Sequence, residues 1–175
     1  MPYGTLTPEQ EAALRPYVVG RVVHDLGAGD LTYARRLLEL GAQEVVAIDK
    51  ERRSFVPDVP GLTYRQAYFH EVEPGLDTVF LAWPVNWNDR ALLLHVLSAH
   101  TLLYLGKNTD GTACGTPALF EAMTHRALLA YVPHPRNCLV ATGPIQMRAR
   151  TPTPEERAGM TSMQRMWSYL ESERS

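Results

Sequence analysis

The sequence predicts an α/β domain with a mainly parallel central sheet, short crossovers and one final antiparallel strand. Three observations carry that expectation. Residues 21–49 read as strand, glycine turn, helix, strand, acid, which is one βαβ unit. Apolar β runs then recur at 62–64, 77–82 and 101–105. The last two runs, 128–132 and 138–142, are separated only by a proline-containing turn at 133–137, which suits a hairpin. A chain of 175 residues that is 45% hydrophobic can bury one sizeable core, so 1–175 is expected to be a single domain.

The ligand of the βαβ unit follows from its turn. Val22, Val23 and Leu26 form a short β run that Gly27 and Gly29 break, residues 31–40 carry helical periodicity, and Val45 to Ile48 forms the second strand. A dinucleotide fingerprint would place a third glycine where Thr32 stands. Asp25, two residues before the first glycine, would repel a diphosphate approaching the helix N-terminus. A carboxylate there attracts a ligand with an ammonium group. S-adenosylmethionine (SAM) has an α-amino group, a carboxylate suited to the turn's N–H groups, and no phosphate. Asp49, about twenty residues past the glycines, can accept hydrogen bonds from both ribose hydroxyls, with Lys50 beside it.

At Asp25-Leu26-Gly27-Ala28-Gly29 and Asp49 the sequence resembles the class I SAM-dependent methyltransferases, whose first motif is acid-x-Gly-x-Gly followed by a ribose-binding acid. The wording D-L-G-A-G-D-L-T is also similar to the rRNA adenine dimethyltransferase branch. The resemblance implies a Rossmann-like fold, SAM as cofactor and methyl transfer to an acceptor. It implies that Gln66 and Ala67, just past the third strand, lie at the adenine, with Gln66 offering a carbonyl oxygen to its N6 amine. An exposed glutamine at a strand end is the equal alternative. The family's fourth motif, which the resemblance implies lies beside the reactive methyl, falls at Ala82-Trp83-Pro84, where one proline is kept and Trp83 stands in place of the other. The amino-methylating branches have Asn/Asp-Pro-Pro-aromatic there. Ala82 offers no acceptor, which weakens a reading as an adenine or glutamine N-methyltransferase.

Thr7-Pro8-Glu9-Gln10 is a capping box with proline at the first helical position, so a helix should run over 8–15 and kink or end at Pro16. Pro57 and Pro60 speak against a full crossover helix in 50–61. Tyr68, Phe69 and His70 read as packing residues. Asn88 is an N-cap, with Trp87 stapling against Leu92, for a helix with Leu92, Leu93, Val96 and Leu97 on its apolar face. The long loop 106–116 should lie beyond the carboxyl ends of the strands, where Asn108, Thr109 and Asp110 could meet substrate. A helix over 117–126 follows. Thr153-Pro154-Glu155-Glu156 starts a C-terminal helix over 154–171, whose Met163, Met166, Trp167 and Leu170 form a stripe suited to core packing, a lid or a homodimer face.

A net charge of −2 and a pI near 6.3 disfavour nucleic acid as a partner without excluding a local basic face. Cys114 and Cys138 are the only cysteines and show no metal-binding spacing, so no metal site is expected. No charged-then-apolar leader precedes Thr7 and no apolar run nears the eighteen or so residues of a membrane span, so a soluble cytoplasmic chain is expected. The function expected is methyl transfer from SAM to an unidentified acceptor, a small molecule or an accessible macromolecular group. The alternative is a SAM-binding protein without transferase activity. No general base stands out. His70, Asp89, His100 and Asp110 are candidates by residue type alone, and His95 is expected to be an ordinary helix histidine.

Overall fold

The computed structural model describes residues 5–84, 90–107 and 115–146. Its seven strands are β1 (Val22–Leu26), β2 (Glu44–Asp49), β3 (Leu62–Gln66), β4 (Thr78–Ala82), β5 (Thr101–Gly106), β6 (Arg126–Val132) and β7 (Cys138–Ile145). They form one sheet in the order β3-β2-β1-β4-β5-β7-β6. The first five strands are parallel, and β7 runs antiparallel to both β5 and β6. The predicted class and the closing hairpin are both present. The strand order reverses between β1 and β4, and an open sheet of this kind offers its ligand crevice beyond the carboxyl ends at that reversal.

Strand alternation sorts the core into two layers. Val23, Ala47, Phe80, Leu103 and Ala141 face α1 (Pro8–Val18) and α2 (Thr32–Glu39), which contribute Leu14, Val18, Ala34 and Leu37. Leu26, Ile48, Val79, Leu81, Leu102 and Tyr104 face α3 (Arg90–Ser98), α4 (Pro117–Thr124) and a single 3-10 turn at Phe69–Glu71. No helix links β2 to β3. The proline-bearing segment crosses without one, and Val56, Leu62 and Tyr64 give that side of the core partial cover.

Several element boundaries differ from the sequence expectations, among them β3, which runs on to Gln66, and three with a visible physical cause. Helix α1 passes Pro16 and ends at Val18. The proline falls in the last turn, where it removes one amide donor, while the Val19 N–H still bonds to the Arg15 carbonyl at 3.0 Å and Val18 is fully buried. Helix α4 stops at Thr124, not at Arg126, which begins β6 because its guanidinium is drawn under the end of α3. Strand β7 continues to Ile145, since Arg126 supplies it with a pairing partner. The Trp87–Asn88 cap, most of the 106–116 loop and the 154–171 helix with its methionine stripe lie outside the described residues. Among the described residues, no helix is long and apolar enough to cross a membrane.

Helix α1 is tied down at both ends of one side chain. Gln10 is fully buried. Its Oε1 accepts from the Thr7 N–H at 3.0 Å, and its Nε2 donates to the carbonyl and side-chain oxygens of Asn137, each at 3.3 Å. Gln10→Ala would strand these buried groups, with an expected cost of about 2 kcal/mol in urea denaturation. A loss below roughly 0.5 kcal/mol would mean that water replaces the amide without penalty.

Candidate functional site

The glycine turn leaves β1 at the sheet's carboxyl edge. Gly27 and Gly29 have φ of +78° and +51°, in the left-handed region that a side chain disfavours. Leu31 also sits there, at φ +67°, as the N-cap of α2, an unusual conformation for a leucine. Three of the turn's donors are already used: the Gly27 and Ala28 N–H groups bond to the Ile48 carbonyl at 2.8 and 3.1 Å, and the Gly29 N–H bonds to Asp49 Oδ2 at 2.8 Å. The expectation that these N–H groups would receive a carboxylate is therefore corrected. They lash the turn to β2, and they offer no cradle to a diphosphate either.

Two carboxylates flank that turn. Asp49, at the end of β2, is half-buried and also accepts from the Glu51 N–H through Oδ1 at 2.9 Å. Each of its oxygens retains a lone pair. Asp25 sits inside the sheet, between Ala47 of β2 and Phe80 of β4, with 1% of its surface exposed. Its Oδ2 has no hydrogen-bond partner among the described residues. Burial, and then the charges of Asp49 and Asp30, push its carboxyl up to about 7. Leu26 and Ala28 beside it are buried, and Lys50 beside Asp49 is exposed.

At the end of β3, Gln66 is exposed and its Nε2 donates to the Lys50 carbonyl at 3.2 Å, which leaves the amide oxygen able to accept. The Ala67 N–H is committed to the Asp49 carbonyl at 3.0 Å, and the Tyr68 N–H to Glu71 Oε2 at 2.7 Å. Both backbone donors that follow Gln66 are thus taken up by the fold. At the end of β4, Trp83 adopts φ +50°; its N–H bonds to the Leu105 carbonyl and its indole Nε1–H donates to the Tyr33 hydroxyl at 3.1 Å. Tyr33, in the first turn of α2, packs on Phe80 with ring centroids 5.7 Å apart. The indole–hydroxyl bond joins Trp83 to the glycine-turn helix across the crevice.

No protein-family model matches the sequence, and no curated protein matches it. The chain does superpose on solved methyltransferases. A SAM-dependent methyltransferase from Mesorhizobium loti is 15% identical, with 80% of this chain and 98% of that one covered at a TM-score of 0.56. The 1,6-didemethyltoxoflavin-N1-methyltransferase of Burkholderia thailandensis, solved with bound 1,6-didemethyltoxoflavin and S-adenosylhomocysteine, is 16% identical over 79% and 80% of the two chains at a TM-score of 0.55. A ribosomal protein L11 methylase from Lactobacillus delbrueckii subsp. bulgaricus is 15% identical over 82% and 81% at 0.54. Together with the strand order these decide the architecture. The chain has the class I methyltransferase fold.

Within this methyltransferase fold the candidate bases separate by position. His100 precedes β5 at the amino edge of the sheet, the far end from Asp25 and Asp49, so it is no longer a candidate. His70 is exposed and stacks on Tyr68 at 5.6 Å. His95 is buried, with Nε2 bonded to the Phe69 carbonyl at 2.9 Å and Nδ1 without a hydrogen-bond partner among the described residues, so it is neither the exposed nor the fully satisfied histidine expected. Asp89 and Asp110 lie outside the described residues. The three structural neighbours do not single out the rRNA adenine dimethyltransferase branch. Tyr33 was not legible as a site residue, because fifty residues separate it from Trp83. Asp30 was equally hidden; its Oδ1 accepts from the Thr32 N–H at 3.0 Å where α2 begins.

Proposed function

We propose that this chain binds SAM and transfers its methyl group to a small molecule or an accessible macromolecular group. The observation that carries the reading is the pair of acids across the glycine turn: a fully buried Asp25 with an unpartnered oxygen, and an Asp49 that holds the turn while keeping lone pairs to spare. These residues fit the cofactor. Asp25 would receive the ammonium group, Asp49 the ribose hydroxyls, and the Gln66 amide oxygen the adenine amine. Leu26, Gly27, Ala28 and Gly29 would form the floor, with Lys50 and Ala67 at the rim. The turn disfavours a dinucleotide by its spent N–H groups.

SAM, when bound, supplies an electrophilic methyl carbon on a sulfonium. The chain's own work is then to hold the acceptor in line and keep it there. Trp83, half-buried and pinned to Tyr33, would wall the acceptor side at the end of β4. Ala82 has no side-chain acceptor, so nothing at that position would hold a target amine through its protons. The named neighbours act on a heterocyclic small molecule and on a ribosomal protein, so the shared fold leaves the acceptor open.

The Ala82-Trp83-Pro84 departure favours one second reading, a protein that binds SAM without transferring its methyl. Calorimetry with SAM, S-adenosylhomocysteine and NAD tests the cofactor, and binding of NAD alone would sink both readings. A labelled-methyl assay against a cell extract then separates them: tight SAM binding with no labelled product favours the second. Asp49→Ala is expected to weaken SAM binding about tenfold through the loss of a charged acceptor and of the Gly29 tie. Unchanged affinity would remove Asp49 from the site.

A further inference from the structure

Among the described residues, the fold gives Asp25 no opposite charge. It lies inside a parallel sheet, its Oδ2 has no partner among the described residues, and the charges that act on it there come from two other acids, Asp49 of β2 and Asp30 of the turn. The titratable group facing it from α2 is Tyr33, which is held neutral by its own burial and has its hydroxyl against Trp83. Its strand neighbours, Ala47 and Phe80, are apolar. Among the described residues, no positive charge offsets an ionised carboxylate in these surroundings until a cation arrives.

We infer that Asp25 carries a proton in the free protein and gives it up to solvent when an ammonium group binds, so that cofactor capture is a proton exchange. The inference rests on the SAM reading above. The O–H bond of the carboxyl breaks, the proton passes to water, and the electron pair left on oxygen accepts an N–H of the ammonium. One positive charge replaces another, and the buried site keeps its net charge. The upward push on this carboxyl, to about 7, agrees with the geometry. Binding then tightens as pH rises toward neutrality, and a fall in pH releases the cofactor.

Isothermal titration of SAM into the full chain, in two buffers of different ionisation enthalpy, reads the exchange directly. At pH 6.5, where the cofactor's amine is already charged, release of about 0.8 proton per SAM is expected. The affinity should rise roughly eightfold between pH 5.5 and 6.5. Asp25→Asn should abolish both effects. A measurement on the wild type alone is also decisive: an infrared carbonyl band of a protonated carboxylic acid at pH 6 should disappear when SAM is added. SAM binding with no proton release, or with no loss of that band, overturns the inference and leaves the methyltransferase reading standing. Failure of SAM and S-adenosylhomocysteine to bind at any pH overturns the methyltransferase reading itself.

Discussion

Arg126→Ala is expected to destabilise the protein by about 3–5 kcal/mol, a large loss for a single side chain. The side chain is fully buried. Its Nη1 donates to the Val96 carbonyl at 2.8 Å, its Nη2 to the Ala99 carbonyl at 2.7 Å, and its Nε to Thr142 Oγ1 at 2.9 Å, with longer bonds to Leu97 and His100. Those carbonyls are the ones a helix C-terminus leaves without partners, and a cation there also meets the negative end of the helix dipole. Burial lowers the guanidinium to about 10, so it remains charged at neutral pH. Removing it strands several buried acceptors and unties α3 from the β6–β7 hairpin. Arg126→Lys would restore the charge and lose the planar fork, so it should recover only part of the loss. The check is the urea midpoint of the three proteins. A loss under roughly 1 kcal/mol for the alanine variant would show that the helix end is held by other contacts.

Asp25→Asn is expected to act in opposite directions on stability and on binding. Folded Asp25 has its carboxyl raised from an ordinary 3.8 to about 7. A raised acid contributes stability that is fully present below its unfolded value and is lost as pH climbs through the folded one. The wild type should therefore lose stability, relative to the amide variant, between about pH 4 and pH 7, and the gap should stay constant above that. By pH 8 the variant should have gained roughly 4 kcal/mol on the wild type relative to pH 4, equivalent to about 8–16 °C in Tm for a chain of this size. The same substitution removes the anion proposed to receive the cofactor's ammonium, so SAM affinity should fall as the melting point climbs. Thermal melts of both proteins from pH 4 to pH 9 decide the first part. Parallel curves over that range would mean that folding leaves the Asp25 carboxyl at its ordinary value.

Much of the fold could be read from residues close together in the chain. The glycine turn, the capping box at Thr7 and Gln10, the missing helix between β2 and β3 and the closing hairpin each rest on local rules of backbone geometry, and each is present. The acids at Asp25 and Asp49 were legible for the same reason, since a βαβ unit places the ends of its two strands side by side. The departures fell where a distant group overrode a local preference. Arg126 reads as the cationic end of a helix, yet carbonyls some thirty residues earlier in the chain draw it into β6.

The sequence by itself determined the class of the fold and the chemical character of its glycine turn, because strand and helix periodicity and turn stereochemistry act over a few neighbouring residues. Tertiary structure alone decided three things: that the turn's N–H groups are spent on β2, that Trp83 is pinned by Tyr33, and that Asp25 is enclosed with an oxygen unpartnered. Each depends on how deeply a side chain is buried and on which remote group meets it. Desolvation and long-range pairing are properties of the packed sheet, and no local pattern of residues encodes them.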